Sequence, residues 1–233
     1  MRAFGVAHVS WLAAIAILAI LLPWLCRGGR LPERVLRYTL GGLLAVNELV
    51  RNFHDGFQFP NNLPIHLCTV LTWSTVIACF TLAPRAVEIS YFVGLAGAGM
   101  AVLTPDLHSP TASYATIRYF ISHGGIVIAA TTLVFGKLAP LARGAVWRAN
   151  AMVVVYAVFL GIFDAVFHIN YMYLCRKPKG PSLLDLLGPW PVYLVLAEVV
   201  CLALFGLLWL PVRPVSSAAQ DFERRTAQLA PEG

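Results

Sequence analysis

The chain has 233 residues, 59% of them hydrophobic, and 17 Lys and Arg against 11 Asp and Glu leave a formal net charge of +6. Charged residues make up 12% of it, against about 25% in soluble domains, and the mean hydropathy is +0.74. Too little polar surface remains to cover a water-soluble core of this size, which excludes a soluble enzyme, a disordered tail and a secreted disulfide scaffold.

A helix needs roughly 20 apolar residues to cross the hydrocarbon core of a bilayer. The apolar runs therefore predict an all-α, polytopic membrane bundle of about seven helices. In chain order these are Ala7–Cys26, Val35–Phe53, Leu63–Leu82, Val87–Leu103, Ile117–Phe135, Ala145–His168 and Pro191–Leu210. Helix breakers agree with the boundaries: Gly28 and Gly29 follow the first run, Pro60 and Pro64 precede the third, and Pro84 follows it. Thr104-Pro105-Asp106 closes the fourth run, and Pro189 with Pro191 opens the seventh. There is no internal repeat of the transporter kind. Residues 1–211 read as a single transmembrane domain and 212–233 as a polar cytoplasmic tail. The first run ends in Leu25-Cys26-Arg27-Gly28-Gly29-Arg30, a charged stop and not a small-residue cleavage site.

The basic residues sit in short loops and not on one stripe, so the isoelectric point near 9.3 does not indicate nucleic-acid binding. Their distribution instead sets orientation. Arg27, Arg30, Arg34, Arg37, Arg85, Lys137, Arg143, Arg148, Arg213, Arg224 and Arg225 place eleven on one side. Arg2, Arg51, Arg118, Arg176, Lys177 and Lys179 place six on the other. The N-terminus is thus expected outside and the C-terminus in the cytoplasm, against the vote of the basic loop Cys175-Arg176-Lys177-Pro178-Lys179. Fourteen Arg to three Lys is the habit of a high-GC genome, which suggests a bacterial inner membrane.

In that topology the unusual polar residues gather in the outer half of the bilayer. Glu48, with Asn47 and Arg51, lies near the outer end of span two, and His66 and Cys68 lie in the first turns of span three. His123 lies in the first turns of span five, and Asp164, His168 and Asn170 finish span six. The inner halves are expected to be apolar apart from Glu198 in span seven. Intramembrane ionisable groups are costly and usually face a cavity or a partner, so this clustering predicts a polar pocket open to the outer leaflet. Cys68 is about five residues into its span and His123 about six, which at about 1.5 Å per residue sets both roughly 7–9 Å deep. A thiol and an imidazole at one level can form an activated nucleophile for acyl transfer. Below the imidazole, Gly124 and Gly125 allow close approach of another helix or a lipid chain.

Plainer readings stand beside these. Cys is common in apolar helices as a small hydrophobe, and Cys26, Cys79 and Cys201 fit that role. Asp164 and His168, four apart, serve equally as a structural clamp or a catalytic pair. Glu48 with Arg51 reads as an interfacial ion pair, although Glu48 could also orient an imidazole. Glu198 is either an interhelical hydrogen bonder or a proton-path residue. His66, Cys68 and His123 could supply three zinc ligands, but an i, i+2 spacing on a helix points His66 and Cys68 to different faces, so no metal is expected. There is no phosphate loop, nucleophile elbow or His-Glu-x-x-His stretch, and no organic cofactor is implied. Tyr171, Tyr173, Trp190 and Tyr193 read as an interfacial aromatic belt.

Several motifs together carry a resemblance. They are Leu63-Pro64-Ile65-His66-Leu67-Cys68, Gly94-Leu95-Ala96-Gly97 followed by Leu103-Thr104-Pro105-Asp106, and Phe120-Ile121-Ser122-His123-Gly124-Gly125. Asn170-Tyr171-Met172-Tyr173-Leu174-Cys175-Arg176-Lys177-Pro178, Ser182-Leu183-Leu184-Asp185 and Leu187-Gly188-Pro189-Trp190-Pro191 complete the set. From about residue 35 to 211 the chain resembles the bacterial YwaF family of integral membrane proteins. That family looks related to the eukaryotic transmembrane protein 164 family of phospholipid acyltransferases, and more remotely to membrane hydrolases that use a Thr and a His. The resemblance places the family's nucleophilic Cys at Cys68 and its His at His123.

The resulting expectation is a lipid acyltransferase that moves an acyl chain between phospholipid and lysophospholipid through a thioester on Cys68, with His123 as base. Glu48, His66, Asp164, His168 and Asn170 are supporting or substrate-binding candidates, and an apolar groove lined by Gly124 and Gly125 would hold the acyl tail. The rival classes are a lipid hydrolase of the same fold, a small-solute transporter or receptor with an outward polar pocket, and a structural membrane protein.

Overall fold

Every apolar run folds as a helix, and the breaks fall where the backbone leaves helical geometry. The structure is a computed structural model that describes residues 4–105, 107, 109–178 and 183–213. Arg2, Lys179, Arg224 and Arg225 of the charge count, Asp106 and Ser182 of the motifs, and the expected tail from 214 onward lie outside the described residues.

Helix α1 (Val6–Arg27) stops at Gly28 and Gly29, the latter at φ 65°. α2 (Glu33–Asp55) stops at Gly56, φ 67°. α3 (Leu67–Thr81) ends on a left-handed Leu82, and Pro84 in the first turn opens α4 (Pro84–Leu103). α4 widens into a π-turn over Gly94–Ala98, a run of small residues. Ser113 caps α5 (Tyr114–Phe135), its Oγ accepting the Thr116 N–H at 3.3 Å. α6 (Ala145–Phe167) runs from a left-handed Gly144 to a left-handed His168. Short 3-10 turns at Tyr171–Tyr173 and Leu183–Leu187 lead to α7 (Val192–Trp209). Among the described residues the nearest approach to a sheet is the isolated bridge between Gln58 and Asn62.

Five helices, α1, α4, α5, α6 and α7, are long and apolar enough to cross a membrane, so the protein is an all-helical, multi-pass membrane protein. The other two differ from expectation. α3 has 15 residues and reaches only about 22 Å at 1.5 Å per residue, because Leu63-Pro64-Ile65-His66 stays outside the helix. α2 is long enough but carries Glu33, Arg34, Arg37, Glu48 and Arg51 along its length.

α5 is the centre of the bundle, with α1, α2, α3 and α4 packed around it. Leu44, Leu71, Ile126, Ala129 and Leu133 form the core where α2, α3 and α5 meet, and Tyr91, Phe92 and Phe205 continue it toward α7. α1, α6 and α7 lie at the periphery, where Ile20, Trp24, Val155, Ile162, Val195 and Leu207 stay exposed. Lipid tails are as apolar as these side chains, so burial does little to hold such helices together and polar pins matter more. His8 of α1 donates from Nε2 to the Val102 carbonyl at 2.8 Å, and the Tyr91 hydroxyl donates to the Leu208 carbonyl at 2.9 Å.

The end of the bundle away from Cys68 is more polar than the sequence suggests. Glu88, 1% exposed, binds Arg148 through Nη2 at 2.5 Å and Nε at 3.1 Å, and Arg85 at 2.9 Å. Buried Arg37 donates to the Cys79 carbonyl at the last turn of α3 at 2.6 Å. The expectation that Glu198 is the lone polar residue of this half is thus corrected: the ion cluster joins α4 to α6.

Candidate functional site

Cys68 owes its position to a loop that two tyrosines hold from outside. Pro64 keeps the Leu63–His66 stretch out of helical geometry, so α3 starts at Leu67 and Cys68 is its second residue. The buried Tyr171 hydroxyl accepts the Leu63 N–H at 3.0 Å and donates to the Pro60 carbonyl at 2.9 Å. The Tyr156 hydroxyl of α6 donates to the Ile65 carbonyl. Cys68 therefore sits in the first turn of α3, where the positive end of the helix dipole favours negative charge. The Leu67 and Cys68 N–H groups, two of the helix's first-turn donors, have no backbone acceptor among the described residues.

His123 comes from the middle of α5 and is its tenth residue, deeper in its helix than the sequence suggests. Its Nε2 lies 3.3 Å from Cys68 Sγ. Its Nδ1 lies 2.9 Å from the carbonyl of Tyr119. A carbonyl can only accept, so Nδ1 carries a proton and Nε2 faces the sulfur, as lone pair to a thiol or as N–H to a thiolate. The Tyr119 ring covers one side of the imidazole, with centroids 4.2 Å apart. His123 is buried and Cys68 half-buried, so the sulfur is the accessible member.

The surroundings fix the pair. Thr72 donates to the Cys68 carbonyl at 2.8 Å, and its hydroxyl lies 3.3 Å from that of Ser122, which joins α3 to α5 beside the dyad. Gly124 and Gly125 are sites of helix approach and not the wall of a lipid groove. A Cβ on Gly124 would meet Ile15 of α1 at 2.6 Å, and one on Gly125 would meet Leu44 of α2 at 2.8 Å. Glu48, 2% exposed, pairs with Arg51 at 2.7 Å, and Arg51 reaches Thr69 of α3 at 3.3 Å. Glu48 makes no hydrogen bond to the imidazole; the Tyr119 carbonyl has that place.

The polar residues expected to share one outward pocket do not all come together. His66 lines a separate polar hollow of about 220 Å³ with Asn61, His168, Asn170, Tyr171 and Arg176. The His66 ring meets Tyr171 edge-on at 4.5 Å. Asn170 is tied to the backbone that follows it: its Oδ1 accepts the N–H groups of Cys175 and Arg176, and its Nδ2 donates to the Arg176 carbonyl. Asp164 and His168 do not pair, because α6 ends between them. The Asp164 carboxylate is buried without a hydrogen-bond partner among the described residues, whereas His168 is exposed. Glu198 on α7 likewise has one buried, unpartnered oxygen.

On the lipid-facing side, Ala151, Met152, Val155, Tyr156 and Phe159 of α6 line an open apolar groove of about 560 Å³. Tyr156 is common to this groove and to the loop before Cys68. Among the described residues no three His, Cys, Asp or Glu side chains converge to hold a metal, and all five cysteines are free.

Sequence reasoning missed the anchoring tyrosines. Tyr171 and Tyr193, assigned to an interfacial belt, are buried and bonded to loop carbonyls, while Trp190 and Tyr173 are exposed as expected. Pro60 and Pro64 were the available signal that the loop before Cys68 is non-helical and needs external support.

No curated protein and no solved structure matches the chain. The family model described as the TMEM164 family matches residues 3–209, which include every helix and both partners of the thiol–imidazole pair. This chain belongs to the TMEM164 family.

Proposed function

We propose that the protein is a membrane-embedded lipid acyltransferase that carries the acyl group as a thioester on Cys68. The observation that carries this reading is the 3.3 Å contact of Cys68 Sγ with a His123 Nε2 whose ring is set by the Tyr119 carbonyl.

In the first half-reaction the thiol proton passes to His123 Nε2 as Sγ attacks the ester carbonyl carbon of a phospholipid. The carbonyl oxygen takes negative charge in the tetrahedral intermediate, and the first-turn N–H groups of Leu67 and Cys68, which have no backbone acceptor among the described residues, are donors for it. The C–O ester bond then breaks. The departing lysophospholipid oxygen takes the proton from His123, and the acyl group stays on sulfur. In the second half His123 accepts the proton of an incoming lysophospholipid hydroxyl, whose oxygen attacks the thioester carbon. Sulfur leaves as thiolate and recovers the proton from His123. Water in place of the acceptor gives the hydrolase variant by the same steps. The dyad ends in the protonation state in which it began: the thiol proton leaves on the first lysophospholipid, the proton of the acceptor replaces it on sulfur, and the residues named supply all the groups the steps use.

The acyl tail lies in the apolar groove on α6, whose Tyr156 touches the loop that leads into Cys68. We further place this end of the bundle toward the outer leaflet, with the N-terminus outside, from the excess of Lys and Arg on the opposite side. The motif pattern fits the bacterial YwaF branch and a bacterial cell membrane.

Acyl capture tests the proposal. The purified protein in detergent is incubated with phospholipid carrying a labelled acyl chain and quenched in acid. Hydroxylamine-labile label on the wild type and none on Cys68→Ala is the expected result. An unlabelled wild type, with donor lipid intact after long incubation with mixed lysolipids, overturns it.

A further inference from the structure

The dyad and the apolar groove account for the reacting carbonyl and the tail of a lipid, but not for its head. The polar hollow beside His66 has the chemistry for that part. Its charged wall is cationic: the Arg176 side chain is exposed and makes no hydrogen bond or ion pair among the described residues. The His66 and His168 rings likewise make no hydrogen bond. No carboxylate lines the hollow. Asp164, on the same stretch of chain, is buried and is not part of the lining.

The wall is also preset. Asn170 binds the backbone of residues 175 and 176 through both its Oδ1 and its Nδ2, which fixes the base of the Arg176 side chain. Tyr171 fixes the facing loop through Leu63 and Pro60. An unpaired guanidinium on a braced loop, opposite two imidazoles and an amide, is the donor set of a phosphate site.

Location gives the site its meaning. His66 precedes Cys68 by two residues, and the loop that ends at His66 is tied to the α6 groove through the Ile65 carbonyl. The polar hollow and the apolar groove therefore both touch the nucleophile's loop, one at His66 and the other through Tyr156 at Ile65. A phospholipid has the same order: tail, ester carbonyl, and a phosphate a few bonds beyond.

We propose that the hollow formed by Asn61, His66, His168 and Arg176 is the subsite for the phosphate of the lipid substrate, so that the protein selects phospholipids and lysophospholipids over neutral glycerides. This inference rests on the acyltransferase reading, because it takes the ligand to be the lipid that Cys68 acylates or deacylates.

The test uses two probes with one fluorescent acyl chain, a lysophospholipid and a monoacylglycerol, titrated onto the full chain in an uncharged detergent. Cys68→Ala serves as background so that no turnover intervenes. The expected result is a preference of about tenfold or more for the phosphorylated probe, the usual size of a charged hydrogen bond. Arg176→Gln or His168→Gln removes that preference and leaves the monoacylglycerol affinity unchanged, whereas Arg176→Lys keeps part of it. Both residues are exposed, so unaltered melting temperatures accompany the change. Equal binding of the two probes, or a preference that survives Arg176→Gln, overturns the subsite. Displacement by inorganic phosphate as effective as by lysophospholipid also overturns it, because the hollow is then a site for free phosphate. Acyl capture on the unsubstituted chain is read separately: label without phosphate preference sinks the subsite alone, and preference without label sinks the acyl-transfer reading alone.

Discussion

The imidazole of His123 is held from behind by the backbone of its own helix: Nδ1 donates to the carbonyl of Tyr119, one turn earlier, at 2.9 Å. The group that sets the tautomer is thus not a side chain, and the pair needs no acidic third member to point Nε2 at Cys68. Replacing His123 by Gln removes the base but keeps a polar group of similar reach. The rate of thioester formation should fall by about 10²–10⁴-fold, the usual range for a general base. The melting temperature should stay near that of the wild type. Single-turnover capture of labelled acyl chain reads the rate, and an undiminished rate removes His123 from the mechanism.

The same geometry separates Glu48 from the chemistry. Glu48 and Arg51 are both buried and bonded to one another at 2.7 Å, so removing one alone leaves an uncompensated charge. Removing both together, as Glu48→Gln with Arg51→Met, replaces the ion pair by groups of similar volume. The capture rate per folded molecule should then stay within about tenfold of wild type, since paired replacement of buried ions is often near neutral. Loss as large as that of His123→Gln would make Glu48 a member of the reacting group.

The sequence made the helices legible because each membrane helix needs its own apolar run: each of the seven runs holds a helix among the described residues, and five of these are long and apolar enough to cross a membrane. It also singled out Cys68 and His123, whose side chains do meet. Both residues sit at other positions in their helices than the apolar runs suggest. Cys68 is the second residue of α3 and not about the fifth, and His123 is the tenth of α5 and not about the sixth. The two helices begin at different levels, which only the tertiary structure sets. Hydrogen bonds over long separations were not legible either. Tyr156 to Ile65 spans 91 residues and Tyr171 to Leu63 spans 108, and nothing local distinguishes such tyrosines from interfacial ones. His168 was read with Asp164 on one helix face, but the left-handed turn at His168 parts them into a buried carboxylate and an exposed imidazole.

Gly124 tests the packing next to the dyad. An added Cβ would lie 2.6 Å from Ile15 Cδ1 and 2.8 Å from its Cγ1, so Gly124→Ala must push α1 away from α5. The expected cost is about 1–3 kcal/mol, the range for overpacking a tight core. Ile15→Ala removes both clashing atoms, and the double substitution should recover part of the loss. Thermal unfolding of the three variants in detergent gives the coupling. Strict additivity would mean that the contact with Ile15 does not limit this position.

The ion cluster at the far end of the bundle gives a contrasting case. Glu88 is buried beneath Arg148 and Arg85, and Glu88→Ala leaves two guanidinium groups facing a gap between α4 and α6. Both arginines have access to solvent, so the loss should lie near or below about 3 kcal/mol, the low end for breaking a buried pair. The effect should fall on stability alone. Acyl capture per folded molecule, measured well below the melting temperature, should match the wild type, and a selective loss of capture would reveal coupling between the two ends.

Tyr156 is the sharpest test of how the site is positioned. Its hydroxyl donates to the Ile65 carbonyl, three residues before Cys68, while its ring lines the groove assigned to the acyl tail. Tyr156→Phe keeps the ring and deletes only the hydrogen bond. One neutral hydrogen bond contributes about 1 kcal/mol, so the protein should remain folded with a small drop in melting temperature. The loop before α3 loses one of its two tyrosine anchors, and Cys68 with the first-turn N–H groups of Leu67 and Cys68 shifts relative to His123. The rate of thioester formation should therefore fall several-fold or more, since misplacement of about 1 Å can cost 10²-fold. Binding of the labelled lysophospholipid to the same variant should be nearly unchanged, because the groove and the polar hollow are intact. Tyr156→Leu, which alters the groove as well, should weaken both. If Tyr156→Phe weakens binding as much as rate, the hydroxyl supports the groove and not the nucleophile; if it changes neither, Tyr171 alone holds the loop.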